Sequence, residues 1–343
     1  MSIKRTVPTL HDVAVKAGVS TATVSRCLNF PERVTVGTRE KVAKAVETLG
    51  YSPNFGAKAM AARRTNTIGA IIPTMENAIF ARGLQAFQEE LRSHGYTLLV
   101  GSTSYRPEIE EEQIRTLVGR GADALLLIGH DRDPEIYKFL EAQGVPAIVT
   151  WAYDPAEFLP SVGFNNRTAM RDMAREVLRL GHCNIALISA KTEHNDRARG
   201  RLHGIQDAMI EARQNPEDLR VIETSFGIEN GAKAFELIMS SQRRPTAVFC
   251  GNDVLAVGAM RSAKALGISV PNDVSIIGFD DIELAQVADP PLTTVHVPHR
   301  EMGQRAALAL VDMLRNGVPL TPIELITKPV FRGSLAQVKA SLD

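Results

Sequence analysis

The stretch AGVSTATVSRCLN (17–29) sets one long cation, Arg26, among small and apolar residues. At helical spacing Thr21, Ala22, Ser25, Arg26 and Asn29 share one face, while Val24, Cys27 and Leu28 share the other. So slim a face can approach base edges in the major groove of DNA. Threonine and alanine methyls suit the thymine methyl, and an arginine can take guanine O6 and N7 with two parallel hydrogen bonds. Polar residues gather again in TMENAIF (74–80), EHNDRARGRLHG (193–204), Asn252-Asp253 and Asp280-Asp281. Each follows a short apolar run, and parallel α/β sheets bind ligands beyond the carboxyl ends of their strands. His296 and His299 have a spacing that could hold a metal, but no third ligand is near in sequence and prolines flank them, so no metal site is expected. The chain lacks GxxxxGK[ST], GxGxxG after a strand, HExxH and GxSxG; no catalytic residues, no cofactor and no enzymatic activity are expected.

The elements that must position Arg26 are legible in residues 1–50. Thr9-Leu10-His11-Asp12 has capping-box spacing, with Asp12 in the place of glutamate. Leu10, Val13, Ala14 and Ala17 then form an inward stripe, and Gly18 ends the helix. Ser20 is the expected cap of the second helix, and Thr35 of a third with Val42, Ala45, Val46 and Leu49 inward. Two short helices around a glycine turn, closed by a third, predict a helix-turn-helix over 1–50. A linker or hinge follows at 51–66. Pro53 permits a fresh helix start, Asn54 can cap it, and the alanines from Ala57 propagate it. A helix so short is marginal alone, and Gly56 weakens it by about 1 kcal/mol, so it should order only when bound.

Charge separates these parts. Residues 1–66 carry 11 Lys and Arg against 4 Asp and Glu, a balance of +7, while the rest of the neutral 343-residue chain balances at −7. A basic head on an acidic body suggests that the head meets a polyanion. Beyond residue 67, apolar runs recur at 68–73, 96–101, 122–129, 146–151, 184–189, 220–224, 246–251 and 274–279, with amphipathic segments between several of them. That pattern predicts βαβ units in two doubly wound lobes of four strands each. The lobes are expected to divide near 160–166, with a late crossing through TTVHVP (293–298). Three scattered cysteines predict no disulfide framework, and the absence of a signal core or membrane-length apolar run predicts a cytoplasmic protein with no membrane partner.

TLHDVAVKAGVSTATVSRCLN followed by VTVGTREKVAKAVETLGYSPN resembles the DNA-binding head of the lactose-repressor/galactose-repressor (LacI/GalR) family. TAVFCGNDVLAVGAM, DVSIIGFDDIELA and PPLTTVHVP resemble segments of that family's sensor, which has the fold of periplasmic sugar-binding proteins. The resemblance implies a repressor that binds a pseudo-palindromic double-stranded operator as a homodimer, with a sugar or sugar derivative controlling its affinity. It puts base readout on Thr21, Ala22 and Arg26, with Thr23, Ser25 and Asn29 on the same helix. It puts a minor-groove hinge helix on Asn54, Ala57, Lys58 and Met60, the last as wedge. For the effector it implies Arg201, Asn252 and Asp280 as hydroxyl binders, Asp196 beside them, and Phe80, Trp151 and Phe226 as aromatic walls. It places the effector and dimerisation domain at 67–343, with one lobe at about 67–163 and 296–326 and the other at 164–295 and 327–343. The alternative is a transport or sensing receptor for sugars that regulates no DNA; the basic head argues against it.

Overall fold

Thr9 opens the described chain's first helix as its residues dictate. Its hydroxyl accepts the Asp12 backbone N–H at 3.3 Å, while Asp12 accepts the Thr9 backbone N–H at 2.8 Å. The computed structural model describes residues 7–52, 64–76 and 78–338. The expected hinge contacts Asn54, Ala57, Lys58 and Met60 lie outside the described residues. The chain divides into two units, one ending at Thr65 and the other beginning at Asn66.

The first unit holds α1 (Leu10–Ala17), α2 (Thr21–Asn29) and α3 (Val36–Leu49). Gly18 stops α1 at φ 68°, a left-handed conformation that glycine adopts without steric cost. Ser20 caps α2 by accepting the Thr23 N–H at 3.2 Å. Thr35 precedes α3 in an extended conformation but makes no side-chain cap; its hydroxyl bonds that of Thr38 at 3.0 Å instead. Val13, Ala14, Val24, Cys27, Val42 and Ala45 are the buried core of the unit.

The second unit alternates strands and helices. They run β1 (Thr67–Ile72), α4 (Ala78–Ser93), β2 (Thr97–Ser102), α5 (Pro107–Gly119), β3 (Ala124–Ile128), α6 (Pro134–Gln143), β4 (Ala147–Thr150), β5 (Ser161–Gly163), α7 (Asn166–Arg179), β6 (Ile185–Ser189) and α8 (Asp196–Glu211). There follow β7 (Arg220–Glu223), α9 (Ile228–Met239), β8 (Ala247–Cys250), α10 (Asp253–Ala265), β9 (Ser275–Ile277), α11 (Glu283–Val287), β10 (Thr294–His296), α12 (His299–Asn316), β11 (Ile323–Glu324) and β12 (Lys328–Val330). One parallel sheet has the order β11-β5-β4-β3-β1-β2 and the other β7-β6-β8-β9. The first lobe therefore has six strands where four were expected. β5 and β11, of three and two residues, pair in parallel through Val162 and Ile323, and neither is long enough to show a periodicity.

Every residue of β1 and β3 is buried, because helices cover both faces of a central parallel strand. β2 lies at the sheet's edge and leaves Leu99 and Val100 partly open. The chain crosses between lobes three times: after β5, after β10 and after β11, with β10 and β12 forming an antiparallel ribbon. On the first lobe α12 packs against α4, and a Cβ at Gly303 would overlap the Gly83 carbonyl.

Candidate functional site

Two surfaces gather the residues singled out by the sequence. The first is the outer face of α2. Thr21, Ala22, Arg26 and Asn29 are exposed there, and Thr23 and Ser25 are half-buried. Asn29 Nδ2 donates to Ser25 Oγ at 3.3 Å, one turn apart. The Thr23 hydroxyl is drawn toward the Ser20 cap at 2.9 Å, so it helps fix the helix start as well as facing outward. Among the described residues the Arg26 side chain has no hydrogen-bond or ion-pair partner, which leaves its guanidinium fork available. α2 buries only Val24 and Cys27, so its opposite flank stays free for a groove.

The second surface is the cleft between the two lobes of the body. Phe80, Tyr105, Trp151, Phe164 and Phe226 form its apolar walls, with Ile79 beside Phe80; Asn195, Arg197, Arg201 and Asp280 supply the polar groups. Counted out to its mouth, the cleft spans about 320 Å³. Tyr105 and Phe226 approach from opposite lobes to a ring separation of 5.7 Å, and Phe80 meets Trp151 edge-on at 5.2 Å.

Arg201 extends from α8 into the cleft, where its Nη1 donates to Asn166 Oδ1 at 2.7 Å. Asn166 is oriented in turn by donating to the Trp151 carbonyl at 2.9 Å. The guanidinium lies 4.9 Å from the Phe279 ring centroid. Burial lowers the Arg201 pKa to about 10, partly opposed by Asp280, so it stays charged at neutral pH. Asp280 follows β9 at φ 107°, and its backbone N–H donates to the Val295 carbonyl at 2.9 Å. Burial raises its carboxyl well above the ordinary aspartate range despite the attraction of Arg201. Trp151 donates from its indole nitrogen to His299 Nδ1 at 3.2 Å. Burial drives the His299 pKa down to about 3, which keeps that ring neutral.

Two expected residues stand outside the cleft lining. Asp196 faces a seam between the lobes: its Oδ2 accepts the His130 backbone N–H at 2.7 Å and its Oδ1 accepts Arg197 Nη1 at 2.7 Å. Burial alone would raise its pKa, but Arg197 and the His130 N–H outweigh burial and hold it below the usual aspartate value. The seam continues with Arg197 Nη1 donating to the Ile128 carbonyl at 3.2 Å and Arg199 pairing with Asp131 at 2.6 Å. Gly129 makes this approach possible. Its φ is +71°, and a Cβ would overlap both Arg197 Nη1 and Asp196 Oδ1. Asn252 uses its Oδ1 to cap α10 through the Leu255 N–H at 2.9 Å, leaving its Nδ2 buried without a partner. Asp253 beside it accepts Thr294 Oγ1 at 2.5 Å and the Ile282 N–H at 2.8 Å, tying α10 to the β10 crossing.

Sequence reasoning missed Tyr105, Phe164, Asn195 and Arg197. Arg197 lies one helical turn before Arg201, so their spacing already placed both on one face. Tyr105 lies beyond the carboxyl end of β2, where the strand-end rule points. Its partner across the cleft is 121 residues away, and no local pattern announces it. Among the described residues no group of three His, Cys, Asp or Glu could hold a metal, and no helix is long and apolar enough to cross a membrane.

Comparison with known proteins shows what each part of the chain is similar to. Residues 9–54 match the model of bacterial regulatory proteins of the lacI family, and residues 174–335 match a periplasmic binding protein-like domain. The HTH-type transcriptional repressor CytR of Escherichia coli (strain K12) is 34% identical over 331 residues, covering 95% of this chain and 96% of that protein. The HTH-type transcriptional repressor PurR of Klebsiella pneumoniae (strain 342) is 34% identical over 310 residues, covering 90% and 91%. Among solved structures, a LacI-family transcriptional regulator from Silicibacter pomeroyi superposes with a TM-score of 0.88 at 27% identity, covering 96% of this chain and 99% of that one. The lac repressor dimer bound to operator and the anti-inducer ONPF does so with a TM-score of 0.85 at 26% identity, covering 96% and 100%.

Proposed function

The chain belongs to the lacI family of bacterial regulatory proteins, and from that premise we propose that it is a repressor whose grip on an operator is set by a small molecule in the interlobe cleft. It reads DNA as a homodimer. Two copies of α2 enter successive major grooves of a pseudo-palindromic site, since a two-fold protein matches a two-fold sequence. Arg26 takes a guanine, and Thr21 and Ala22 take thymine methyls. The effector is a sugar or sugar derivative held between Arg201 and Asp280 against the aromatic walls. Asp196 and Asn252 contribute by fixing the seam and the loop behind the cleft. The protein works in the bacterial cytoplasm, and it has no catalytic role; its named relatives are transcriptional regulators.

The observation that carries this reading is the unpartnered Arg26 on the exposed face of a capped helix, in the same chain as a cleft with buried polar groups. Selection of duplexes from a random pool by the full-length chain tests it. The expected product is an inverted repeat with a guanine in each half-site. A pool with no enriched symmetric sequence would sink it and would favour a sugar receptor without regulatory DNA binding.

A further inference from the structure

Four consecutive residues at the end of β3 carry the first lobe's side of the seam. The Ile128 carbonyl accepts Arg197 Nη1, and Gly129 leaves room for that guanidinium. The His130 backbone N–H donates to Asp196 Oδ2, and the Asp131 carboxylate pairs with Arg199. All of these partners come from the first turn of α8 in the second lobe. The His130 carbonyl is committed as well, accepting the Tyr137 hydroxyl of α6 at 2.7 Å. The backbone of His130 is thus fixed on both sides.

Its side chain is not. The residue is 8% exposed, and among the described residues neither ring nitrogen has a hydrogen-bond partner. An imidazole brings one donor and one acceptor when neutral, and burying both without partners is costly. Besides Arg197, Arg199 and Asp131 of the seam, the charged groups facing it come from three elements. They are Asp196 from α8, Glu157 and Asp154 from the loop after β4, and Arg132 from its own loop, itself paired with Glu110 of α5 at 3.2 Å. Burial holds the ring below the ordinary histidine pKa against the pull of the three carboxylates. Of the residue types in the seam, histidine alone ordinarily changes charge between about pH 5 and 8. A ring in water takes up a proton more readily than the same ring in the shut seam, so acid favours the arrangement in which the ring is solvated.

We propose that His130 is a proton-operated release for the interlobe seam. A proton from solvent, taken up on an unpartnered ring nitrogen, draws the ring out to water, and residues 128–131 part from Asp196, Arg197 and Arg199 as it moves. Mild acid then opens the body along this seam and gives the receptor a second input beside its small molecule. The device acts on the cleft read above as the effector site.

Trp151, the single tryptophan of the chain, is buried in the cleft lining and reports the opening. Its neighbour His299, with a pKa of about 3, stays neutral near pH 7 and leaves the signal undisturbed. Acrylamide quenching of Trp151 fluorescence in the full-length chain is followed from about pH 7.5 to about pH 5.5, across the ordinary histidine value. The ratio of open to shut protein is expected to rise as pH falls, by at most about tenfold per pH unit, the limit for one proton. His130→Gln and His130→Phe cannot take up that proton and are expected to flatten the profile, each being checked by circular dichroism for intact fold. Constant accessibility in the wild type would overturn the proposal without any variant. A slope that survives in either folded variant would overturn it too, by assigning the proton to another group. The experiment contains neither DNA nor sugar, so its failure leaves the effector reading standing.

Discussion

The head and the body solve opposite problems with the same residue type. Arg26 is exposed, its side chain has no partner among the described residues, and it is held only by the backbone of a nine-residue helix. Arg201 is buried, hydrogen-bonded by Asn166, stacked near Phe279, and lines the cleft together with residues from six other segments. The difference follows from what each must recognise. DNA is large and highly charged, so a guanidinium standing in water can reach it, and the phosphates supply much of the attraction. A small molecule has few contacts to offer, and it gains affinity only where water has been removed and the partners are already oriented. Exposure serves the reader, and burial serves the receptor.

Breaking the reader should give the largest effect. Arg26→Ala is expected to remove about 1–3 kcal/mol of base discrimination per half-site, roughly doubled in a dimer, while salt-sensitive nonspecific binding persists. Gel-shift titrations against operator and scrambled duplex would measure it; an unchanged ratio would show that Arg26 does not read the sequence. Next in size is the seam of the body. Gly129→Ala forces a left-handed backbone on an L side chain and pushes Arg197 away from Asp196, at a cost of about 2–4 kcal/mol. Urea denaturation would record that loss, and a variant as stable as the parent would mean the lobes can part there freely.

The buried and exposed sites also differ in their response to pH. His299 has a folded pKa of about 3 against 6.5 when unfolded, so the unfolded chain binds the extra proton between those values. The neutral ring therefore contributes stability above pH 6.5, and this contribution falls as pH drops toward 3. Relative to His299→Gln, wild type should lose about 2 kcal/mol between pH 7 and pH 5, as seen in denaturation midpoints at the two values. Parallel behaviour of the two proteins would place the ring in water. The smallest effect belongs to the head again. Ser20→Ala removes one capping bond and should lower the stability of the head by about 1 kcal/mol, as a shift in thermal midpoint would show.

The same contrast explains what could be read without coordinates. The head's site lies within one helix, and its glycine turn, its caps and its apolar stripe are all short-range signals; Thr9, Ser20, Val24 and Cys27 play the parts their spacing suggests. Thr35 does not, because its hydroxyl had a second choice in Thr38. In the body, eight strands fall on apolar runs and were visible as such, even the three-residue β9, whereas β5 and β11 lie in segments without such a run. Arg201 and Asp280, which the strand-end rule singled out, line the cleft. It could not say that Asp196 would turn to His130, or that Asn252 would give its oxygen to α10. Those choices depend on partners 66 residues away in one case and three in the other, and only packing decides between them. The chain of contacts from Arg201 through Asn166 and Trp151 to His299 likewise emerges only when these residues are seen together.

Fluorescence anisotropy of a labelled inverted-repeat duplex, titrated with the full-length chain with and without a cleft-binding sugar or sugar derivative, tests the central claim most directly. The account predicts that the ligand changes duplex affinity at least tenfold and that Arg201→Gln removes the change while leaving affinity without ligand intact. An affinity that never depends on the ligand, for a chain shown by calorimetry to bind it, would contradict the coupling of receptor to reader.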